Sequence, residues 1–410
     1  MTQFPVRPSE PPRPRAVKSR ILHVVTHLDL GGGEQVALSI IEQLHQVYDF
    51  TVFAVYGVRD TEVGRDMKRR LDQLGVPVVS GTRIDIKRGG MLQASFRLAR
   101  LIQWLRPDVV HLHTDIPEGV HAFSTLFPRP RWVQTMRTVH NTSMWPKWRW
   151  VGKFVEERSG QMWAPACSAA SLEALQVMRE DYGLPRIDDA HCGVILNGVA
   201  VPPPAAPADL HDPKRPVRLL FAGRMEPQKG VDLLPAIVER ASQLTYRAVE
   251  LDVHGSGSLW PQLLDWVKGR APTTPWNVRI GPPMAGLSSR LGHYDAVLMP
   301  SRFEGLALTA IETLISGVPL VPSRINGLQE LLPDDYPLFA RSEDIEDYAQ
   351  ALARLVEAPE RYRRVAQAIQ PEIAAKYGVE RMAREYARVY DLVCREAAQP
   401  GGRFERIIGA

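Results

Sequence analysis

Residues 217–254 read VRLLFAGRMEPQKGVDLLPAIVERASQLTYRAVELDVH, and a strand, a helix and a second strand follow one another within them. The run 217–222 is apolar and of strand length, Gly223 lets the chain turn, 231–244 is helical, and 248–254 is a strand again. A strand, a crossover helix and another strand make a βαβ unit, and repeated units build a parallel, doubly wound sheet. Toward the C-terminus the alternation continues with a helix over 259–268, strands over 278–280 and 296–299, a helix over 306–315 and a strand over 320–321. Helices then fill 343–356, 361–376 and 380–397. Toward the N-terminus the proline-rich stretch 199–216 interrupts the pattern as a semi-rigid linker. Before it, strands are expected over 21–28, 51–55, 76–79, 108–112 and 132–136. Helices lie between them, over 34–44, up to Leu74, over 91–105 and before the last strand. The fold class is α/β, with two doubly wound domains facing across a cleft. An arm over 1–20 precedes the first domain, 21–198; after the linker comes the second, 217–378. A helix in 379–410 crosses back to the first domain before a tail. Ligands of such sheets bind beyond the carboxyl ends of the strands, so the site is expected between the domains.

Composition narrows the class. The 410 residues are 45% hydrophobic and 23% charged, as in ordinary globular proteins, which excludes disordered, collagen-like and disulfide-scaffold chains. No apolar stretch reaches the roughly 18 charge-free residues of a spanning helix, and no signal-type apolar core opens the chain, so a cytoplasmic location is expected. The net charge of +4 sits in the arm, where Arg7, Arg13, Arg15, Lys18 and Arg20 face only Glu10, leaving forty-five charges of each sign elsewhere. A neutral body argues against a nucleic-acid partner. Cys167, Cys192 and Cys394 lack metal-ligand spacing and read as buried, reduced thiols.

Four segments carry candidate chemistry. In PSRFEGLALTAIETLISGVP, residues 300–319, a loop follows a strand and opens a helix at about Gly305. The N–H groups of Gly305, Leu306 and Ala307 would then face an anion, aided by the helix dipole. Glu304 and Glu312 are placed to grip different hydroxyls of one extended ligand. Taken alone, they read equally as an N-cap acid and a solvated helix acid. In FAGRMEPQKGV, residues 221–231, the loop after Gly223 holds Arg224 and Lys229, a fork and a point charge that suit a diphosphate. In DLGGGE, residues 29–34, Gly31, Gly32 and Gly33 permit close backbone approach to a ligand, without a full dinucleotide fingerprint. His140 in RTVHN lies just past a strand, near the cleft rim.

In this order and spacing, the segments resemble the retaining nucleotide-sugar glycosyltransferases of the GT-B fold, and more narrowly glycosyltransferase family 4 (GT4). The likeness extends from about residue 20 onward and includes VHLHT at 110–114, CSAAS at 167–171, ILNGV at 195–199 and HGSGS at 254–258. The family's usual Gly-Asp-Gly stands here as Gly255-Ser256-Gly257, which keeps the turn and removes an acid. The resemblance implies an N-terminal Rossmann-like acceptor domain and a C-terminal Rossmann-like donor domain. It implies a UDP- or GDP-sugar donor, with Arg224 and Lys229 on the diphosphate, Glu304 on the sugar hydroxyls and Glu312 on the ribose. His140 would sit beside the reacting sugar, and the Gly31–Gly33 loop would close the donor pocket. It implies no cofactor and no metal, the two cations serving instead. The acidic run EDIED at 343–347 reads as an exposed helix start.

The implied acceptor is a glycan or lipid-linked hydroxyl in cell-surface polysaccharide or glycolipid assembly. Residues 129–158 bear on it. Arg129, Arg131, Arg137, Lys147, Arg149, Lys153 and Arg158 face only Glu156 and Glu157, with Trp132, Trp145, Trp148 and Trp150 interleaved. Such a stretch suits an anionic inner-membrane face or stacking on sugars, or equally a surface helix with its indoles turned inward. His113, Trp145, Lys147 and Arg149 are the acceptor-side candidates. A non-hydrolysing nucleotide-sugar epimerase and a catalytically silent sugar-nucleotide-binding subunit remain as alternatives.

Overall fold

The computed structural model describes residues 18–29, 31–129, 134–139, 149–159, 162–200, 215–270 and 275–396. His140, Trp145 and Lys147, most of the arm and most of the linker lie outside them. The first parallel sheet comprises β1 (Arg20–Val25), β2 (Asp49–Ala54), β3 (Val78–Ser80), β4 (Val109–His113) and β5 (Gln134–Thr138), in the order β3-β2-β1-β4-β5. Two short strands absent from the sequence reading, β6 (Ala164–Ala166) and β7 (Cys192–Val194), extend it through the bridges Met136–Trp163 and Val139–Ala166. The second sheet comprises β8 (Val217–Arg224), β9 (Val249–Ser256), β10 (Trp276–Gly281), β11 (Ala296–Met299), β12 (Leu320–Arg324) and β13 (Ala340–Arg341), in the order β10-β9-β8-β11-β12-β13. Every pairing among the described strands is parallel.

The period-2 geometry of a strand decides which helix covers which face. Ile21 and Val25 turn to a layer formed by the helices Gly32–Leu44, Glu62–Gln73 and Val379–Glu396. Leu22 and Val24 turn to the opposite layer, with Gly90–Leu105 and Asp115–Ser124. The last helix of the first layer belongs to the far end of the chain, and Met382, Tyr386, Val389, Tyr390 and Val393 are fully buried in the N-terminal core. A polar network fixes it there. Tyr390 Oη lies 2.8 Å from His111 Nδ1 and 3.0 Å from His23 Nε2, while His23 Nδ1 lies 2.9 Å from His113 Nε2. His111 Nε2 lies 2.6 Å from Thr138 Oγ1, which meets Tyr386 Oη at 3.1 Å. Burial holds His23 at about 3, so its ring is neutral at ordinary pH.

The chain passes between domains twice, side by side. Val199 N–H donates to Tyr377 O and Val379 N–H to Val199 O, each at 3.0 Å. These adjacent crossings make a two-stranded hinge.

A second buried network corrects the surface reading of residues 129–158. Arg137 on β5 is 1% exposed, and its guanidinium donates to Glu118 at 3.0 Å and to Glu156 at 3.0 and 3.2 Å. Arg179 donates to Glu156 from the other side at 3.0 Å. Arg129 turns to His121 Nε2 at 2.9 Å. Arg137 is internal because it lies within β5, where alternate side chains must point inward, whereas Arg129, outside the strand, is half-buried.

Candidate functional site

A cleft of about 750 Å³ opens between the two sheets, lined from both domains. The donor-side wall begins at the end of β8. Gly230 takes φ +63°, and a Cβ there would lie 1.8 Å from the Pro300 carbonyl oxygen, so only glycine lets the loop after β8 press against the loop after β11. That contact brings together two residues seventy-five positions apart. Lys229 Nζ donates to both carboxylate oxygens of Glu304 at 2.7 Å, and Ser301 Oγ donates to Oε1 at 2.7 Å. Arg224 reaches into the cleft from an exposed position and donates to Gln228 Oε1 at 2.7 Å.

The helix expected at Gly305 begins three residues later, at Leu308, because Ala307 is its N-cap in extended geometry (φ −77°, ψ 106°). Gly305, Leu306 and Ala307 therefore form the loop leading into the helix, and all three line the cleft together with Leu308 and Thr309. Glu312 follows on that helix and accepts from Ser288 Oγ at 3.1 Å. Burial raises its carboxyl to about 7.

Sign fixes the consequence. Below about pH 4.5 Glu312 is neutral folded and unfolded; between 4.5 and 7 only the folded form keeps the proton, so stability falls as pH rises and the loss is complete above 7. Glu312 keeps part of its surface open to the cleft, which screens the penalty. Glu312→Gln should therefore stabilise the ligand-free protein at pH 8 by roughly 1–2 kcal/mol and leave it unchanged at pH 4. Urea unfolding of both proteins at the two pH values checks this.

On the opposite wall, the helix expected at Glu34 starts at Gly32, with Gly31 as its extended N-cap. A Cβ on Gly31 would lie 2.1 Å from Glu34 Oε2, so the glycine makes room for that carboxylate. Glu34 is buried, and burial lifts it to about 7. Asp29, Glu42 and Asp66 also line this wall; Arg70 is clamped by Glu42 through two 2.7 Å bonds.

Sequence reasoning passed over several cleft residues. His27 stands just past β1, held below the ordinary imidazole range by burial and then by the Arg59 charge. Asn197, 2% exposed at the hinge, has no hydrogen-bond partner for Oδ1 among the described residues and lines the cleft floor. Thr114 is held at φ 72°, ψ 171°, costly for a β-branched residue, and pairs with Thr26 at 3.0 Å. The signals were weak: His27 lay inside the strand expected over 21–28, and Asn197 inside ILNGV just before the linker.

Two acceptor-side expectations are corrected. His113 is fully buried inside β4, against His23, since the alternation of the strand turns it from the cleft and delivers Thr114 instead. Arg149 is exposed but donates to Asp181 O at 2.6 Å and stacks over Tyr182, away from the described cleft residues. Among the described residues, one trio has nitrogen atoms close enough to share a metal ion: His23, His111 and His113. It lies in the core network, its rings turned to one another and to Tyr390 and Thr138.

Residues 30–202 match the model described as Glycosyltransferase Family 4, and 216–358 match the model described as Glycosyl transferases group 1. A D-inositol 3-phosphate glycosyltransferase of Nocardioides sp. is 30% identical over 321 residues, covering 69% of this chain and 67% of the relative. The chain belongs to glycosyltransferase family 4. Glycogen synthase of Mycobacterium tuberculosis is 25% identical to this glycosyltransferase, over 76% of each chain. Among solved structures, Anabaena Alr3699/HepE in complex with UDP-glucose superposes with a TM-score of 0.71 at 16% identity, covering 91% of this chain and 99% of that one. The glycosyltransferase thus has the GT-B fold, two facing α/β domains with a cleft between them.

Proposed function

We propose that this glycosyltransferase moves a sugar from a nucleoside-diphosphate sugar to an acceptor hydroxyl with retention of configuration and without a metal ion. The observation that carries the reading is the Lys229–Glu304 pair at the mouth of the Gly305–Ala307 loop. Without ligand, each group satisfies the other. An arriving diphosphate draws Lys229 and Arg224 to its oxygens, and Glu304 is released to the hydroxyls of the sugar. Glu312, deeper on the same wall, takes the ribose. As the bond from C1 to the leaving phosphate oxygen breaks, the cations hold the charge that develops there. The acceptor oxygen bonds to C1 on the same face, and its proton passes to the leaving phosphate. No protein base is required. His140 positions the sugar beside C1.

UDP is the favoured donor base, in line with the UDP-glucose in the HepE complex, and GDP is second. The acceptor is a glycan or lipid-linked hydroxyl in cell-surface polysaccharide or glycolipid assembly, taken at the inner face of the membrane. Among the described residues no helix is long and apolar enough to cross a bilayer, so membrane contact would be peripheral.

Thermal unfolding against UDP-, GDP- and ADP-sugars without added metal tests the donor site. A ligand at 100 times its Kd stabilises by roughly 2.7 kcal/mol. The shift should appear with one base and vanish in Arg224→Ala/Lys229→Ala. A shift only after metal addition would refute the metal-free clamp, and epimerised donor released without acceptor would replace transfer by epimerisation.

A further inference from the structure

The outer surface of the second N-terminal helix layer has no counterpart in the reaction. The helix Gly90–Leu105 contains Arg97 and Arg100 and no acid. Residues four apart form a ridge on a helix, and the ridge here is Leu92, Phe96, Arg100 and Trp104, every one exposed. Phe96 meets Phe127 edge-on at 5.4 Å, which carries the apolar surface onto the turn after Asp115–Ser124, where Leu126 is 58% exposed. On the adjoining helix Arg149–Ser159, Trp150 is 67% exposed. Of the twelve large hydrophobic residues exposed among those described, six fall between Ile84 and Trp150, so the patch is a concentration and not a scatter. Contiguous exposed apolar surface of this kind marks an interaction face.

Charge identifies the partner. Lys87, Arg88 and Arg100 are exposed with no acid at ion-pair distance among the described residues. The helix Glu62–Gln73 is also basic, but there Arg65 pairs with Asp60, Lys68 with Asp72, Arg69 with Asp66 and Arg70 with Glu42. Unpaired cations beside exposed Trp, Phe and Leu match the anionic headgroup and acyl boundary of a bilayer, where long cationic side chains reach the phosphates and apolar ones enter below. The helix Gly90–Leu105 follows β3, so its Leu92 end lies at the carboxyl edge of the sheet, the edge that bears the cleft.

We propose that the face formed by Leu92, Phe96, Trp104, Leu126 and Trp150 docks on an anionic lipid bilayer, with Lys87, Arg88 and Arg100 at the lipid phosphates. This names the surface for the peripheral contact in the reading above, and it stands or falls apart from the chemistry.

The test is co-sedimentation of the full chain with phosphatidylglycerol or phosphatidylcholine vesicles at low salt. Two variants are compared, Leu92→Ser/Phe96→Ser/Leu126→Ser and Lys87→Glu/Arg88→Glu/Arg100→Glu. All substituted positions are exposed, and an unchanged melting temperature and donor-induced shift certify folding and the donor site separately. The basic arm is present in all three proteins, so its contribution cancels. Wild type should bind the anionic vesicles and not the neutral ones, and each variant should bind about tenfold or more weakly. Failure of wild type to bind, or variants that bind as well as wild type, would overturn the proposal. So would concentration-dependent self-association that both variants abolish, since the face would then belong to a second copy of the chain.

Discussion

Lys229→Ala is expected to slow transfer a hundredfold or more and to destabilise the ligand-free protein as well. The kinetic loss follows from removing a donor aimed at charge that develops in the transition state, on the order of 3 kcal/mol. The stability loss has a different origin. Glu304 is 7% exposed, and without Lys229 its carboxylate keeps only the Ser301 hydroxyl as a side-chain partner among the described residues. Breaking a buried pair from one side costs roughly 3–5 kcal/mol; since Lys229 is partly open to the cleft, about 2 kcal/mol is expected. The two effects separate in Lys229→Ala/Glu304→Gln, whose neutral amide tolerates the missing cation. Urea unfolding should show most of the stability regained while the rate stays low. A Lys229→Ala enzyme within threefold of the wild-type rate would remove the diphosphate role.

Arg137→Met should be the most destabilising single change away from the cleft, about 3–5 kcal/mol by urea unfolding. It strands Glu118 and Glu156 together in a buried site where Arg137 had bonded both. Arg179, on the far side of Glu156, relieves only one of them. Replacing all four groups at once, by Glu118→Leu/Arg137→Met/Glu156→Leu/Arg179→Met, should restore much of the loss, because an apolar set of similar volume carries no desolvation penalty. If the single change costs under 1 kcal/mol, the cluster is better hydrated than its burial implies.

The order of strands and helices was legible because long segments declare their period, as 217–254 does. The elements missed include β6, β7 and β13, two or three residues each, and the helix Ala169–Asp181, whose buried face holds Leu175 among Ser171, Gln176 and Arg179 and so shows no apolar period. The two ends of the donor wall were legible as motifs, but their meeting was not, since the contact depends on the left-handed Gly230 against Pro300. Arg137 was misread for a general reason. A cation in a basic stretch looks solvated until its strand is placed in a sheet and its acidic partners arrive from other helices. The histidine network was hidden the same way, for only the register that sets His23 opposite His111 brings those rings together. Asn197 and His27 acquire their places from the hinge and the facing wall, which exist only once both domains are built.

The helix Val379–Glu396 has one further consequence, for the order in which a ribosome releases the chain. The C-terminal sheet and its helices, from β8 to Tyr377, form one uninterrupted stretch and can close their core once translated. The N-terminal sheet emerges earlier yet waits, because one side of its core is finished by Tyr386, Val389 and Tyr390, made after everything else it touches. Domains commonly mature in the order of synthesis; here the first-made domain is completed second, and until then the seat of Tyr390 on His23 and His111 stays open to whatever chaperone or neighbouring chain meets it.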